Sequence, residues 1–193
     1  MKVGIAGGIG SGKSSIAKAF KNLGIPIFYA DPEARALMTN SPTIKSKLIH
    51  AFGEKVYTDN QLNKTALSKL VFNDKAAREL INKIVHPKVR NTFENWAKSK
   101  HSDIVMIEAA ILFETGLYKT LDATILVLTD KNQRLKRIML RDNINEDTAR
   151  KRLASQENPN NHKNLATFLI NNNDEVEVLP QILTIHKKLT HNG

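Results

Sequence analysis

Residues 7–14 read Gly-Gly-Ile-Gly-Ser-Gly-Lys-Ser, and this stretch decides the fold. It matches the pattern G-x-x-x-x-G-K-S/T in full. Glycines let the backbone turn several N–H groups towards one point, where they bind phosphate oxygens without a Cβ in the way. The helix that follows directs its positive N-terminal end at the same anion. The pattern therefore predicts a phosphate-binding loop between a buried strand and a helix.

The polar side chains of this loop have predicted roles towards a nucleoside triphosphate. Lys13 would bridge the β- and γ-phosphates, and the Ser14 hydroxyl would coordinate Mg²⁺, so ATP with Mg²⁺ is the expected co-substrate. The expected ATP contacts are Gly8, Ile9, Gly10, Ser11, Gly12, Lys13, Ser14 and Ser15. The GTPase patterns D-x-x-G and N-K-x-D do not occur in the chain. A kinase of a small metabolite is therefore favoured.

A strand–helix–strand unit surrounds the loop. Residues 3–6 and 25–28 are short apolar runs, and residues 13–23 place apolar side chains on one helical face. A βαβ unit joins parallel strands, so the sequence predicts an α/β fold with a parallel sheet.

From residue 31 to about residue 100 no strand signal is strong. Successive helical patterns occur instead, at residues 33–38, 43–52, 65–72, 75–85 and 89–98. Pro42 and Pro87 are expected to mark breaks before helices, with Ser41 and His86 at the capping positions. A helical insertion between two strands is the economical interpretation.

Strand character returns at residues 104–107, 123–128 and 168–170. Asp130 and Gln133 have the spacing of a capping box, which predicts a helix continuing to residue 141. A second helix is predicted at residues 146–156, capped by Asn145, and a closing helix at residues 175–189. Pro180 is tolerated only in the first turn of a helix, so the closing helix is expected to start late.

The predicted architecture is an α/β, P-loop NTPase-type three-layer fold with a parallel sheet, a helical insertion and a helical lid. The expected nucleotide-binding core comprises residues 1–30, 101–133 and 163–193. Residues 31–100 form the insertion and residues 134–162 the lid.

The charge balance is basic, with 29 Lys and Arg against 19 Asp and Glu and a formal net charge of +10. Such an excess attracts anions, and both a phosphate-bearing substrate and a nucleic acid fit it. The alternative is that most of the lysines only form a basic solvated surface. Aromatic residues make up only 6% of the chain and no basic-aromatic run occurs, so base stacking is not indicated.

Other features of the composition exclude several classes of protein. The chain has no cysteine and no H-x-x-x-H pair among its six histidines, so disulfides and a zinc site are not expected. No apolar run approaches the roughly 18 residues of a membrane span, and no signal peptide is evident. We therefore expect a cytoplasmic enzyme without a membrane or nucleic-acid partner; the oligomeric state stays open.

Two carboxylates follow predicted strands at the edge where ligands bind in such sheets. Asp31 could orient a substrate hydroxyl and take its proton, or cap a helix that begins at Pro32; the two roles are compatible. Glu108 could hold Mg²⁺, or be a solvent-facing residue at a strand end.

Five arginines lie in the predicted lid. Arg134, Arg137 and Arg141 share one helical face, and Arg150 and Arg152 follow in the next helix. Guanidinium groups there could close over ATP and neutralise charge at the γ-phosphoryl group. The alternative is a solvated face.

Together these pieces resemble the dephospho-CoA kinase family over essentially the whole chain. The landmarks, in order, are residues 7–14, Ala30-Asp31 with Arg35, His86-Pro87, Ile111-Leu112-Phe113-Glu114, Arg137 with Arg141-Asp142, residues 152–156 and Ile170-Asn171-Asn172. The resemblance implies phosphoryl transfer from ATP to the ribose 3′-hydroxyl of dephospho-CoA, giving CoA and ADP in the final step of CoA biosynthesis.

The resemblance also implies that residues 31–100 are a helical CoA-binding insertion, which binds the substrate, and that residues 134–162 are an Arg-bearing lid. It implies residue roles as well. Asp31 becomes the general base, and Arg137 and Arg141 become phosphate clamps. Arg35, His86 and Glu114 are placed at or near the acceptor site.

The chain departs from the family pattern at two points. It reads Tyr-Ala-Asp at residues 29–31, where Asp-Ala-Asp is common, and Ala-Ile-Leu-Phe-Glu at residues 110–114, where Pro-Leu-Leu-Phe-Glu is common. The first change removes the first of the two carboxylates and leaves only Asp31.

Two other functions remain open at this point. One is a P-loop kinase acting on a nucleoside, nucleotide or sugar acid, which only the acceptor would distinguish. The other is a nucleotide-dependent nucleic-acid-binding protein, suggested by the net charge of +10. Salt-sensitive binding to RNA or DNA without acceptor-dependent ADP release would identify the latter.

Overall fold

The computed structural model describes residues 1–191 and, within them, the side chains of all but residues 64, 71–73 and 191. Its strands are β1 (Lys2–Ala6), β2 (Ile27–Tyr29), β3 (Tyr57–Thr58), β4 (Gln61–Leu62), β5 (Val105–Glu108), β6 (Ala123–Leu128) and β7 (Phe168–Asn171). Its α-helices are α1 (Lys13–Asn22), α2 (Ala30–Asn40), α3 (Pro42–Phe52), α4 (Lys64–Asn73), α5 (Lys75–Lys98), α6 (Lys131–Asp142), α7 (Glu146–Ala154) and α8 (Leu179–His191). The chain divides into two compact units, Met1–Tyr29 together with the residues from Ala97 onwards, and Ala30–Trp96.

The first unit is built on a five-stranded sheet in the order β2-β5-β1-β6-β7. Every neighbouring pair is parallel, which confirms the predicted α/β class. In the central strand, Ile5 pairs with Glu108 of β5 on one side and with Ile125 of β6 on the other. This register brings the loop after β1 and the last residue of β5 to the same edge of the sheet.

The core of this unit lies between the sheet and the helices α1 and α8. Ile16, Ala17 and Phe20 form the buried face of α1, as their spacing predicts. Phe20 is fully buried, and burying a side chain of this size contributes roughly 1.5–3 kcal/mol. The sheet and α1 therefore form a firm base for the loop between them.

Three helix starts agree with the sequence predictions. The Ser41 hydroxyl accepts the N–H of Ile44 at 3.4 Å, and the Asn145 side chain accepts the N–H of Thr148 at 3.0 Å. The closing helix begins at Leu179, which leaves Pro180 in its first turn. These starts depend on local capping and on the ring of proline, so the sequence alone specifies them.

The expected break at Pro87 is wrong. α5 runs without interruption from Lys75 to Lys98, with Pro87 inside it, so His86 is a mid-helix residue and not a cap. The buried residues recur every fourth position on both sides of the proline, at Ala77, Ile81, Val85, Val89 and Phe93. Burial of this continuous apolar stripe outweighs the hydrogen bond that proline removes.

Two other capping predictions need correction. Asp130 precedes α6 but its side chain makes no capping bond, and Gln133 instead accepts the N–H of Asp174 at 3.2 Å. The Asp130 N–H in turn donates to Asn173 at 2.8 Å. The capping box is therefore replaced by bonds to the segment after β7.

α2 begins at Ala30, so Asp31 lies within its first turn and not at the N-cap.

The second unit contains a β-hairpin that the helical prediction missed. β3 and β4 pair antiparallel, and the two turn residues, Asp59 and Asn60, have φ of 48° and 62°. Paired positive φ values are typical of the tight hairpin turn that Asn and Asp favour. The Asp-Asn dipeptide was the signal available in the sequence.

None of the helices in residues 1–191 combines the length and the apolar character needed to cross a bilayer. α5, with 24 residues, is long enough for this but carries charges along its length.

Candidate active site

The phosphate-binding loop sits directly after the central strand of the sheet. Gly10 and Gly12 have φ of 79° and 84°, a region that glycine adopts without strain. Gly12 precedes the first residue of α1, Lys13, so the helix begins at the loop. The backbone geometry that the glycine pattern predicts is therefore present.

Lys13 and Ser14 meet Glu108 at the edge of the sheet. The Lys13 Nζ lies 3.3 Å from Glu108 Oε1, and the Ser14 hydroxyl donates to the same oxygen at 3.4 Å. The Glu108 side chain is only 4% exposed, which excludes the solvent-facing alternative. Burial of a carboxylate is costly unless the group is paired and hydrogen-bonded, and here the Lys13 ammonium and the Ser14 hydroxyl supply these contacts.

The same oxygens suit a magnesium ion. Mg²⁺ binds through one or two carboxylate or hydroxyl ligands plus substrate phosphates and water, and does not need an all-protein cage. No group of three or more His, Cys, Asp or Glu residues able to hold a metal occurs among the described residues. The Ser14 hydroxyl and the Glu108 carboxylate are adjacent oxygen groups of the type that such an ion binds.

The three arginines on the shared face of α6 have different surroundings. Arg134 is 7% exposed. Arg137 is half-buried, pairs with Asp174 at 2.7 Å and donates to the Asn172 carbonyl at 3.1 Å. Arg141 is exposed. The alternative of a solvated face thus applies only to Arg141, the last of the three arginines along α6.

The Arg137 guanidinium lies beside the loop. A Cβ built on Gly12 would be 3.8 Å from Arg137 Nη1. Of the two predicted phosphate clamps, Arg137 therefore approaches the cradle in this structure.

The Arg141 guanidinium is bound to the carboxylate of the neighbouring residue, Asp142. It donates to both oxygens of Asp142, at 2.8 and 3.1 Å, and Arg152 of α7 contacts the same carboxylate. The hydrogen bond from Arg141 lowers the pKa of Asp142, and the same bond raises the pKa of Arg141. Asp142 thus links α6 to α7.

The second unit contains three of the predicted acceptor residues. Asp31 and Arg35 lie one turn apart on α2, hence on one face. Burial lowers the pKa of His86, while the nearby Asp31 carboxylate acts to raise it and Arg90 to lower it. The fold of this unit therefore brings His86 and Asp31 together, although they are far apart in sequence.

Glu114, in the first unit, is surrounded by titratable neighbours. Burial raises its pKa, and hydrogen bonds from backbone N–H groups together with His162 oppose that rise. The His162 Nε2 lies 3.9 Å from Glu114 and 3.6 Å from Glu157, and the His162 ring stacks on Phe113 at 5.0 Å between centroids. His162 was not singled out from the sequence, because it belongs to no ligand pattern.

Several residues that hold the loop were also missed. The Asn172 side-chain amide donates to the Ser11 carbonyl at 2.7 Å, and the Thr129 hydroxyl donates to the same carbonyl at 3.0 Å. Gln156 accepts the N–H of Ile9 at 2.6 Å. Asn172 and Gln156 are landmarks of the family resemblance, but nothing in their spacing indicated these contacts.

A cavity of about 740 Å³ opens beside the loop. Its walls include Arg134, Gln156, Pro159, Thr129 and Asn173. This volume is within the range of small-molecule sites, and amide and hydroxyl groups in such a wall can orient a polar ring.

The parallel sheet, the complete glycine-lysine loop after its central strand and the buried acid on the neighbouring strand define the class of P-loop nucleotide-binding proteins. The family model described as dephospho-CoA kinase matches residues 1–177. A dephospho-CoA kinase from Bacteroides fragilis is 33% identical over 186 residues, covering 96% of this chain and 91% of the relative. The chain belongs to the dephospho-CoA kinase family.

Solved structures agree with this assignment. A protein from Thermus thermophilus superimposes with a TM-score of 0.83 at 27% identity, covering 100% of this chain and 97% of the other. A dephospho-CoA kinase from Campylobacter jejuni superimposes with a TM-score of 0.70 at 25% identity, covering 100% and 99%. The similarity extends beyond the loop to the whole chain.

Proposed function

We propose that this chain transfers the γ-phosphoryl group of ATP to the ribose 3′-hydroxyl of dephospho-CoA, giving CoA and ADP in the last step of CoA biosynthesis. The observation that carries this proposal is the family match over residues 1–177, which includes the complete phosphate-binding loop. The chemistry needs three things: a fixed triphosphate, an oriented hydroxyl and positive charge at the transferred group.

ATP is fixed by residues 8–15. Backbone N–H groups of the loop and the N-terminal end of α1 bind the phosphates, and the nucleoside enters the adjacent cavity. Lys13 moves its charge from Glu108, 3.3 Å away, to the β- and γ-phosphates. Because Lys13 is already held at the loop, little side-chain entropy is lost when ATP binds.

Ser14 and Glu108 are the residues that would hold Mg²⁺. When bound, the metal ion neutralises charge on the β- and γ-phosphate oxygens. The Glu108 carboxyl group lies beside Lys13 and Ser14, since both contact its Oε1 atom.

The residues that bind the acceptor and act on it are Asp31, Arg35, His86 and Glu114. Asp31 orients the 3′-hydroxyl and takes its proton as the new P–O bond forms. Arg35, on the same face of α2, is suited to a phosphate of dephospho-CoA because a guanidinium binds phosphate with two N–H groups. His86, with its pKa lowered by burial, contacts this substrate as a neutral ring at pH 7.

Arg137 and Arg141 act on the transferred group. They belong to the lid, residues 134–162, which closes over ATP, and their charge stabilises the transition state while closure excludes water. Arg137 exchanges its contact with Asp174 for one with a phosphate oxygen, and Arg141 does the same with its contact to Asp142.

The enzyme acts in the cytoplasm, with no nucleic-acid or membrane partner.

The decisive experiment is coupled ADP release with ATP, Mg²⁺ and dephospho-CoA, with adenosine, AMP and gluconate as alternative acceptors. We expect turnover with dephospho-CoA alone and CoA as the product. Turnover with another acceptor only would replace the substrate, and the absence of turnover with any acceptor would overturn the kinase assignment.

The phosphate-binding loop is tested by Lys13→Met. We expect kcat to fall by about a thousandfold or more, because the charge that bridges the phosphates is lost, with the fold intact by circular dichroism. The matched control is Lys18→Met, which changes an exposed lysine of the same helix. Wild-type kcat in Lys13→Met would contradict the assignment.

A further inference from the structure

Ile9, in the middle of the phosphate-binding loop, has both of its backbone polar groups held by distant side chains. Arg134 Nε donates to the Ile9 carbonyl at 2.8 Å, and Gln156 Oε1 accepts the Ile9 N–H at 2.6 Å. Arg134 belongs to α6, and Gln156 lies two residues after α7 ends at Ala154. Ile9 thus contacts both α6 and the segment that follows α7.

The approach of α6 to the loop is as close as a backbone allows. A Cβ at Gly8 would lie 2.3 Å from Arg134 Nη2, and a Cβ at Gly10 would lie 2.7 Å from the Arg134 carbonyl oxygen. A side chain at position 8 would displace the Arg134 guanidinium, and one at position 10 would require the α6 backbone itself to move. The absence of side chains at positions 8 and 10 therefore allows Arg134 of α6 to lie directly against the loop.

Arg134 differs from the other two arginines of its face in its charge partners. Within residues 1–191, no carboxylate lies within ion-pair distance of Arg134, whereas Arg137 and Arg141 each have one. Burial lowers the pKa of Arg134. The position of Arg134 therefore depends on its hydrogen bond to the Ile9 carbonyl and not on an ion pair.

We propose that Arg134 and Gln156 are positioning residues that couple the phosphate-binding loop to the helix pair α6–α7. They bind the C=O and the N–H of Ile9, so they tie the position of the loop to that of α6, the helix that also carries Arg137. The consequence is that ATP binding depends on the helix pair, and the helix pair is stabilised by bound ATP. This inference rests on the proposed ATP site.

The hydrogen bond of Arg134 can be separated from its charge. In Arg134→Gln the side-chain amide nitrogen stands where Nε stood, four bonds from the Cα, so the donor remains and the charge is lost. In Arg134→Met a methyl group takes that place, so both are lost. Gln156→Met removes the acceptor at the other end of Ile9 with little change of volume.

We expect KM for ATP to rise about tenfold in Arg134→Met and in Gln156→Met, the equivalent of one hydrogen bond, with KM for dephospho-CoA unchanged. Arg134→Gln should stay within about threefold of the wild type. The double variant Arg134→Met, Gln156→Met should lose less than the sum of the single losses, because both act through Ile9.

Melting temperatures with and without ATP distinguish the possible failures. Wild-type protein that neither turns over nor is stabilised by ATP would overturn the proposed function itself. Active wild type, with Arg134→Met and Gln156→Met equal to it in KM for ATP, would overturn the coupling alone. Equal losses in Arg134→Gln and Arg134→Met would also overturn it, since charge and not the hydrogen bond to Ile9 would then matter.

Discussion

At the scale of single residues, the same residue type has different uses in different surroundings. Glu108 and Glu114 lie six positions apart in the same unit, yet Glu108 contacts Lys13 and Ser14, whereas burial raises the pKa of Glu114. Asp31 and Glu33 share the first turn of α2, but the resemblance gives a role only to Asp31. Such differences are tested by changing one carboxylate and using its neighbour as the control.

Asp31→Asn should lower kcat by about a hundredfold or more, because the amide cannot take the proton of the acceptor hydroxyl. The dissociation constant for ATP should change little, since Asp31 is not among the proposed ATP contacts. Steady-state kinetics with calorimetric ATP binding measures both. Glu33→Gln, which removes a charge from the same helical turn, should retain its kcat; an unchanged kcat in Asp31→Asn would leave Asp31 with a structural role.

Glu114→Gln should stabilise the fold at pH 8. Burial raises the pKa of Glu114 in the folded state. Its contribution to the free energy of unfolding is therefore complete below the ordinary pKa of 4.5 and is lost as the pH rises through the folded pKa. The neutral variant escapes this loss, so its advantage appears at pH 8 and vanishes near pH 4. Urea unfolding at both pH values measures the difference.

The control for this measurement is Glu157→Gln, whose side chain is 61% exposed and should show a smaller pH dependence. A Glu114→Gln variant less stable than the wild type at pH 8 would show that the backbone hydrogen bonds to the Glu114 carboxylate outweigh burial. Turnover by Glu114→Gln should fall despite the gain in stability, because Glu114 is proposed to contact the acceptor.

At the scale of elements, tertiary contacts override local signals where the two conflict. The apolar stripe of α5 continues across Pro87, so the helix does too. The capping box of α6 yields to bonds between Gln133 and Asp174 and between Asp130 and Asn173. In both cases the deciding partner is outside the local stretch of chain.

Pro87→Ala should raise the free energy of unfolding by about 1–2 kcal/mol. Alanine restores the N–H that proline lacks and relieves the contact of the ring with the preceding turn, although the unfolded chain gains freedom. Thermal and urea unfolding measure the change. Lys88→Ala, at the next exposed position of the helix, should differ from the wild type by less than about 0.5 kcal/mol. A destabilised Pro87→Ala would show that the proline contributes to the packing of α5.

At the scale of the whole molecule, the net charge of +10 acts on anionic substrates. Long-range attraction raises the rate of encounter with ATP and dephospho-CoA, and added salt screens it. The bound complexes depend instead on the short contacts of the site.

We therefore expect kcat/KM for dephospho-CoA to fall by about tenfold between roughly 0.02 and 0.5 M KCl, with kcat nearly constant. Initial-rate kinetics at several salt concentrations tests this, and kcat at saturation is the internal control. A kcat/KM independent of salt would mean that most of the lysines form only a solvated surface.

The sequence by itself determined the parallel α/β class, the phosphate-binding loop and the helix starts at Ser41 and Asn145. Each depends on contiguous residues: glycines that permit positive φ, side chains that cap their own helix, and apolar spacing within one element. The resemblance, which uses the order of short motifs along the chain, added the family. None of these requires knowledge of which distant residues meet.

Only the tertiary structure decided which residues surround the loop. Ser14 and Glu108 are 94 positions apart and meet because β1 and β5 are neighbours in register. Arg134 and Gln156 reach Ile9 from 125 and 147 positions away, and His86 lies inside a helix because a buried stripe continues past Pro87. Contacts of this kind depend on strand order and on burial summed over the whole core, which no local pattern of residues contains.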